Sequence, residues 1–163
     1  MDALALLRDQ AGNADDLLIR VFTPVTPEQG AWRLPGSTAN TIAATFLHAY
    51  YTEDDLLHRL LGGRTVFEEG GWRQRLGYDP DAAWTLDTKP ETSLLLSYAA
   101  AVTAATRDYL ANLAPADLDH EVETPRGRRA LAFRLGVYLV AHKFQHAGEI
   151  SALMGCQGLK GLP

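Results

Sequence analysis

A chain of 163 residues with 20 acidic and 15 basic side chains carries a formal charge of −5. That length suits one domain, here residues 1–163, and burial of about 70% of the unfolded surface makes disulfides unnecessary. The single cysteine, Cys156, excludes an internal disulfide and points to a reducing, cytoplasmic setting, while the interspersed, mildly acidic charge argues against nucleic acid as a partner.

Helical spacing begins at once. Leu4, Leu7, Ala11, Ala14, Leu18 and Val21 recur at three and four residues and predict a helix over about 2–22. Pro24 and Pro27 end it. The opening Met1-Asp2-Ala3-Leu4 lacks the basic and apolar stretches of a secretory leader, and no apolar run reaches the length of a span, so no membrane partner is expected.

A polar connection with Gly30, Pro35 and Gly36 leads to a second helix over about 39–61. Ser37, Thr38 or Asn40 is its expected cap, Ile42, Phe46, Ala49, Tyr50, Leu57 and Leu60 its apolar arc, and Gly62-Gly63 its stop. Residues 62–88 are the least regular stretch, with Gly70-Gly71, Gly77 and Pro80 interleaved with Trp72, Tyr78 and Trp84. A connection this long is expected to be ordered by its aromatic groups and to cover one end of the molecule as a flap.

Thr88-Lys89-Pro90-Glu91 reads as a capping box with an early proline. The stripe Leu95, Tyr98, Val102, Ala105, Tyr109 and Leu113 carries the third helix to about 113, before Pro115. A polar connection over 114–127 contains Pro125 and Gly127 and precedes a fourth helix over about 128–154. Its stripe is Leu131, Leu135, Tyr138 or Leu139, His142, His146, Ile150 and Leu153, and Gly155 is its expected C-cap. Arg126, Arg128 and Arg129 form too short a run for a nucleic-acid footprint. With no alternating strand pattern and no repeat, the expected fold class is all-α, a four-helix bundle. An up-and-down order is the economical arrangement, and the long 62–88 connection also permits a crossover.

The segment His142-Lys143-Phe144-Gln145-His146 carries the chemical signal. Residues i and i+4 of a helix lie about 5–6 Å apart at Cβ, which suits two imidazoles on one ion at metal–nitrogen bonds of about 2.0–2.1 Å. Both histidines fall in the middle of the stripe, so their rings point into the core or a cleft. Each then needs a partner, because an unsatisfied buried polar group costs about 1–3 kcal/mol. From the pair alone, a metal site and two separately hydrogen-bonded histidines stand level. Lys143 occupies the place where a zinc-peptidase helix carries its general-base glutamate, which argues against that chemistry.

A metal site needs a third ligand, and His48, His58 and His120 remain. His48 lies off the apolar arc of its helix, in a column with Thr41, Ala44, Thr45 and Thr52. Spacing alone leans toward a solvent-facing column, with a pocket wall of small side chains as the alternative. It leans further toward the surface for His58, close to Gly62-Gly63, and for His120 in a polar loop. Glu149 reads first as a surface carboxylate and second as a partner for His146. Glu53 lies near the apolar arc, which allows it to point inward toward the site, and an inward carboxylate usually has a partner. Cys156 reads as a small, unreactive residue, and Trp32, Trp72 and Trp84 as packing groups.

Two segments resemble a known family. Ile42-Ala43-Ala44-Thr45-Phe46-Leu47-His48 resembles the second helix of the DinB-like (DinB/YfiT) superfamily. Ala141-His142-Lys143-Phe144-Gln145-His146-Ala147-Gly148-Glu149-Ile150 resembles its fourth-helix signature, two histidines four apart followed by a small or basic residue, glycine, a polar residue and an aliphatic. The order and spacing of the helices agree as well, so the resemblance spans essentially the whole chain. It implies a bundle in which His48, His142 and His146 bind a divalent metal ion, Zn²⁺ or Ni²⁺, with positions left for water or substrate. Ala147 stands where the family commonly has arginine, and Glu149 where it usually has glutamine. The resemblance further implies an enzyme acting on a small-molecule substrate. The types implied are a thiol-dependent transferase or isomerase using a low-molecular-weight thiol such as mycothiol or bacillithiol, or a hydrolase. Two alternatives stay open: a non-catalytic, stress-related bundle with a structural or sensory metal, and a bundle without metal whose histidines are core groups. A homodimer is also implied, and the small side chains of Ala99-Ala100-Ala101 and Ala104-Ala105 suit close helix approach.

Overall fold

The computed structural model describes residues 2–78, 89–124 and 127–162. Met1, Pro80, Trp84, Thr88, Pro125 and Arg126, named above, lie outside the described residues. The first helix, α1 (Ala3–Phe22), starts where Asp2 Oδ1 accepts the backbone N–H of Ala5 at 2.8 Å. The connection after it holds a short helix, α2 (Pro27–Ala31), closed by a reciprocal Thr26–Gln29 capping box. The next long helix, α3 (Ile42–Leu61), is capped by Thr41, whose Oγ1 accepts the N–H of Ala44 at 3.2 Å. This corrects the expected cap at Ser37, Thr38 or Asn40: the backbone of Thr41 is still extended, so the helix starts later. Gly62 ends it at φ +71°, in the left-handed region that favours glycine.

Residues 62–78 send aromatic side chains into the core, while the rest of the 62–88 connection lies outside the described residues. They fold into α4 (Val66–Glu69) and α5 (Trp72–Leu76), and Phe67, Trp72, Leu76 and Tyr78 are buried. Phe67 and Trp72 lie against Tyr98, with ring centroids 5.6 and 5.3 Å away. The third long helix, α6 (Thr92–Ala111), begins two residues past Pro90, with Glu91 at its N-cap and no side-chain cap bond. A 3₁₀ turn (Pro115–Asp119) and two paired residues on each of β1 (Glu121–Val122) and β2 (Arg129–Ala130) follow. Strands this short show no alternating pattern, which is why spacing does not reveal them.

The last rod is built from α7 (Leu131–Leu135), a π-helical segment (Gly136–Ala141) and α8 (His142–Cys156). It runs past Gly155, and the positive φ expected there falls instead on Gly158, at +75°. No helix among the described residues is long and apolar enough to cross a membrane. Helix α1 packs principally on α8, α8 also on α3, and α3 on α6. The four long helices therefore do not neighbour one another in the order in which the chain makes them.

Two apolar clusters fill the bundle. One gathers Leu18, Phe22, Phe46, Tyr50, Tyr98, Val102 and Ile150; the other gathers Leu4, Leu7, Leu56, Leu110, Leu131, Leu135 and Leu139. Between them lies a layer of buried charge. Lys143 Nζ sits 2.6 Å from Asp15 Oδ1 and 2.7 Å from Glu53 Oε2, with all three side chains at most 4% exposed. Tyr50 and Thr103 donate to Asp15, and Thr106 donates to Glu53. Every long helix contributes to this layer.

Candidate metal centre

Beside the charged layer, α3 and α8 bring three imidazoles together. His48 Nε2 lies 3.2 Å from His142 Nε2, and His146 Nε2 lies 3.0 Å from the same atom. One nitrogen from each ring falls within 4.8 Å of the others. The column that carries His48 is not surface. Thr41, Ala44 and Thr45 are buried, so the helix face that spacing assigns to solvent packs inward and only His48 and Thr52 reach a cleft. The Oγ1 of Thr52 lies 3.3 Å from His48 Nε2.

The histidines of α8 sit at the flank of its buried stripe. Its centre is Leu139, Lys143, Ala147 and Ile150, all at most 2% exposed. His142 is half-buried and His146 is 4% exposed. The π segment precedes this arrangement, with the N–H of His142 bonding the carbonyl of Val137 five residues back. Such wide turns recur at functional sites because they rotate the next face of a helix relative to the last. Here Lys143 is turned into the core and both histidines toward α3.

Each ring has its own surroundings. His146 Nδ1 lies 2.9 Å from Glu149 Oε2, so Glu149, 38% exposed at its side chain, is a partner of His146 and not a free surface carboxylate. Its carboxylate accepts the Nδ1 proton and leaves Nε2 with its lone pair. Tyr138 covers His142, ring centroids 5.9 Å apart. The buried Nδ1 of His142 has no hydrogen-bond partner among the described residues. Burial, then the repulsion of His142 and His146, lowers the pKa of His48 to about 3. Burial, then His146 and Lys143, lowers that of His142 to about 4. Both rings are therefore neutral near pH 7.

Protons satisfy this arrangement poorly. With Nε2 of His146 unprotonated, His142 Nε2–H can donate to it, but His48 Nε2 lies at 3.2 Å from the same atom, so one N–H would have to be shared between two nitrogens. Three lone pairs directed at one cation remove the conflict. At bonds of about 2.1 Å and angles of about 90–110°, nitrogens of one ion stand about 3.0–3.4 Å apart, which the two shortest separations match. The residues present fit a divalent ion held by His48, His142 and His146.

The remaining candidates lie elsewhere. His58 is half-buried near the end of α3, and His120 is exposed, 3.7 Å from Asp117. Trp72 packs under Arg75 and against Tyr98, Trp32 is half-buried, and Cys156 is exposed at the end of α8. Glu53 has the inward partner its position calls for, Lys143. Spacing misses the role of Lys143, although its signal is present: the residue falls four from both Leu139 and Ala147.

Residues 11–150 match the DinB superfamily. The chain belongs to the DinB superfamily. A conserved protein from Enterococcus faecalis has a similar structure, with a TM-score of 0.76 and 16% identity over 95% of this chain and 99% of that one. At that identity the likeness shows the fold and nothing finer. No curated protein matches this chain. Ala147 is wholly buried and contributes packing, whereas Glu149 supplies the acceptor for His146.

Proposed function

We propose that the protein binds one divalent ion, Zn²⁺ or Ni²⁺, through Nε2 of His48, His142 and His146, and is an enzyme that acts there on a small molecule together with a low-molecular-weight thiol. The observation that carries the metal reading is the meeting of three Nε2 atoms at 3.0 and 3.2 Å, where a single N–H would have to serve two nitrogens. Bound there, the ion supplies positive charge that favours the anionic form of a thiol or a water. The protein's residues do the rest. Glu149 holds His146 in one tautomer, burial keeps His48 and His142 uncharged, and no carboxylate among the described residues joins the triad to neutralise the ion. His48 and His142 are only half-buried, which favours a centre open to substrate over a sealed structural one.

Metal analysis of protein purified without a histidine tag is expected to find about one ion per chain, and almost none in His142→Ala. Turnover of an electrophile with a low-molecular-weight thiol is expected in the metal-loaded protein and lost in His48→Ala. Absence of stoichiometric metal removes the first half of the proposal. Equal turnover by wild type and His48→Ala removes the second.

A further inference from the structure

A cleft of about 150 Å³ runs between α3 and the last rod, lined by Thr52, Asp55, Leu56, Arg59, Arg134 and Tyr138. Two ladders of side chains supply its walls. On α3 the ladder is His48, Thr52, Asp55 and Arg59, at steps of four, three and four residues. On the rod it is His142, Tyr138 and Arg134, at steps of four. Residues so spaced on α3 share one helix face, and on the rod Arg134 and Tyr138 line the cleft together across the π segment. The imidazoles do not line the cleft, but two residues that do adjoin them, Thr52 against His48 and Tyr138 against His142, and the lining also holds two guanidinium groups.

The two arginines are not equivalent. Arg59 is already paired, its Nε donating to Asp55 Oδ2 at 2.8 Å. Arg134 lies over the ring of Tyr138, 4.5 Å from its centroid, and has no ion pair or hydrogen bond among the described residues. A cation–π contact uses none of the guanidinium N–H groups, so they stay available to an acceptor. They form a rigid fork matched to two oxygens of a carboxylate or phosphate. The cleft has the volume of about five water molecules, room for such a group and a short connecting chain.

We propose that Arg134, held over Tyr138, binds an oxyanion, carboxylate or phosphate, carried by the molecule that reaches the three histidines. The inference deepens the proposed function and rests on it only for what lies at the histidine end of the cleft. Arg134 is a binding residue that selects anionic substrates. A neutral compound with the same reactive group leaves the fork empty and is bound more weakly.

The test uses the full chain stripped of metal, so that it does not depend on the ion. Arginine Nε–H signals are followed by ¹H–¹⁵N NMR at low ionic strength while inorganic phosphate or acetate is added. The Arg134 signal is expected to shift and saturate, whereas that of Arg20, exposed in the last turn of α1, drifts without saturation. By calorimetry, Arg134→Gln is expected to weaken binding of the tighter anion by at least about tenfold, with Arg134→Lys between the two. An Arg134 signal that behaves as Arg20 does, or unchanged affinity in Arg134→Gln, overturns the proposal. Adding Zn²⁺ then separates the two readings. A saturable Arg134 response in protein that takes up no metal keeps the anion site and removes the metal centre. Metal uptake beside an unresponsive Arg134 does the reverse.

Discussion

Lys143 shows how one residue can be decisive without touching the candidate reaction. Burial pulls its ammonium toward the neutral form, but Glu53 and Asp15 outweigh that, and its pKa is raised above the ordinary 10.5. Lys143→Met would leave two carboxylates facing each other in the core without a counter-charge. The expected loss is about 3–5 kcal/mol, read as a lowered urea midpoint. Adding Asp15→Asn and Glu53→Gln to that variant should recover most of it, because the penalty comes from unbalanced charge and not from a missing bond. A triple variant no more stable than the single one would sink this account. The sign with pH follows from the raised value: the contribution is complete below pH 10.5 and is lost as pH climbs through the folded value. Wild type should thus lose stability on that alkaline limb more steeply than the triple variant.

Among the elements, Asp54 explains what aromatic content alone does not. Its two oxygens accept the N–H groups of Val66 and Phe67 at 2.8 Å, and Tyr98 donates to one of them at 2.9 Å. One carboxylate on α3 thus caps α4 and ties it to α6. Asp54→Asn replaces one acceptor oxygen with an NH₂ group facing another donor. It is expected to cost about 1–3 kcal/mol and to raise amide exchange in residues 66–76 before the rest of the chain. Uniform exchange across the molecule would show that α4 and α5 do not open as a unit. The long helices are legible in the sequence because three- and four-residue apolar spacing is a property of each segment by itself. The cap at Thr41, the start of α6 and the packing of residues 62–78 are not, since each is decided by contacts with other elements. The same division holds at the candidate centre. The pair His142 and His146 is visible as i, i+4 on one helix, and the place of His48 beside them is suggested by resemblance. Spacing alone sets His48 on a solvent-facing column, because a wheel does not show that α8 lies against that face.

At the scale of the whole molecule, the triad joins positions 94 residues apart in sequence, one on α3 and the others on α8. An ion held there would exist as a complete site only in the folded chain, so its binding energy adds to stability. At a free metal concentration of 100 times the dissociation constant that amounts to about 2.7 kcal/mol, or a rise of about 5–10 °C in Tm for a chain of this size. Calorimetric scans with Zn²⁺ or Ni²⁺ should show it in wild type. They should show a much smaller rise in His48→Gln, which keeps only the local pair on α8. The metal-free protein carries the converse cost. The ordinary pKa of both His48 and His142 is 6.5, and the fold lowers these to about 3 and about 4, so between pH 6.5 and about 4 the unfolded chain binds more protons than the folded one. Stability therefore falls as pH drops from 6.5 to 5, a range that largely precedes carboxylate titration. His48→Gln should flatten that fall. If the fall is unchanged in His48→Gln and added metal raises the Tm of both proteins alike, the three rings do not act as one site, and the link between α3 and α8 must be sought in packing alone.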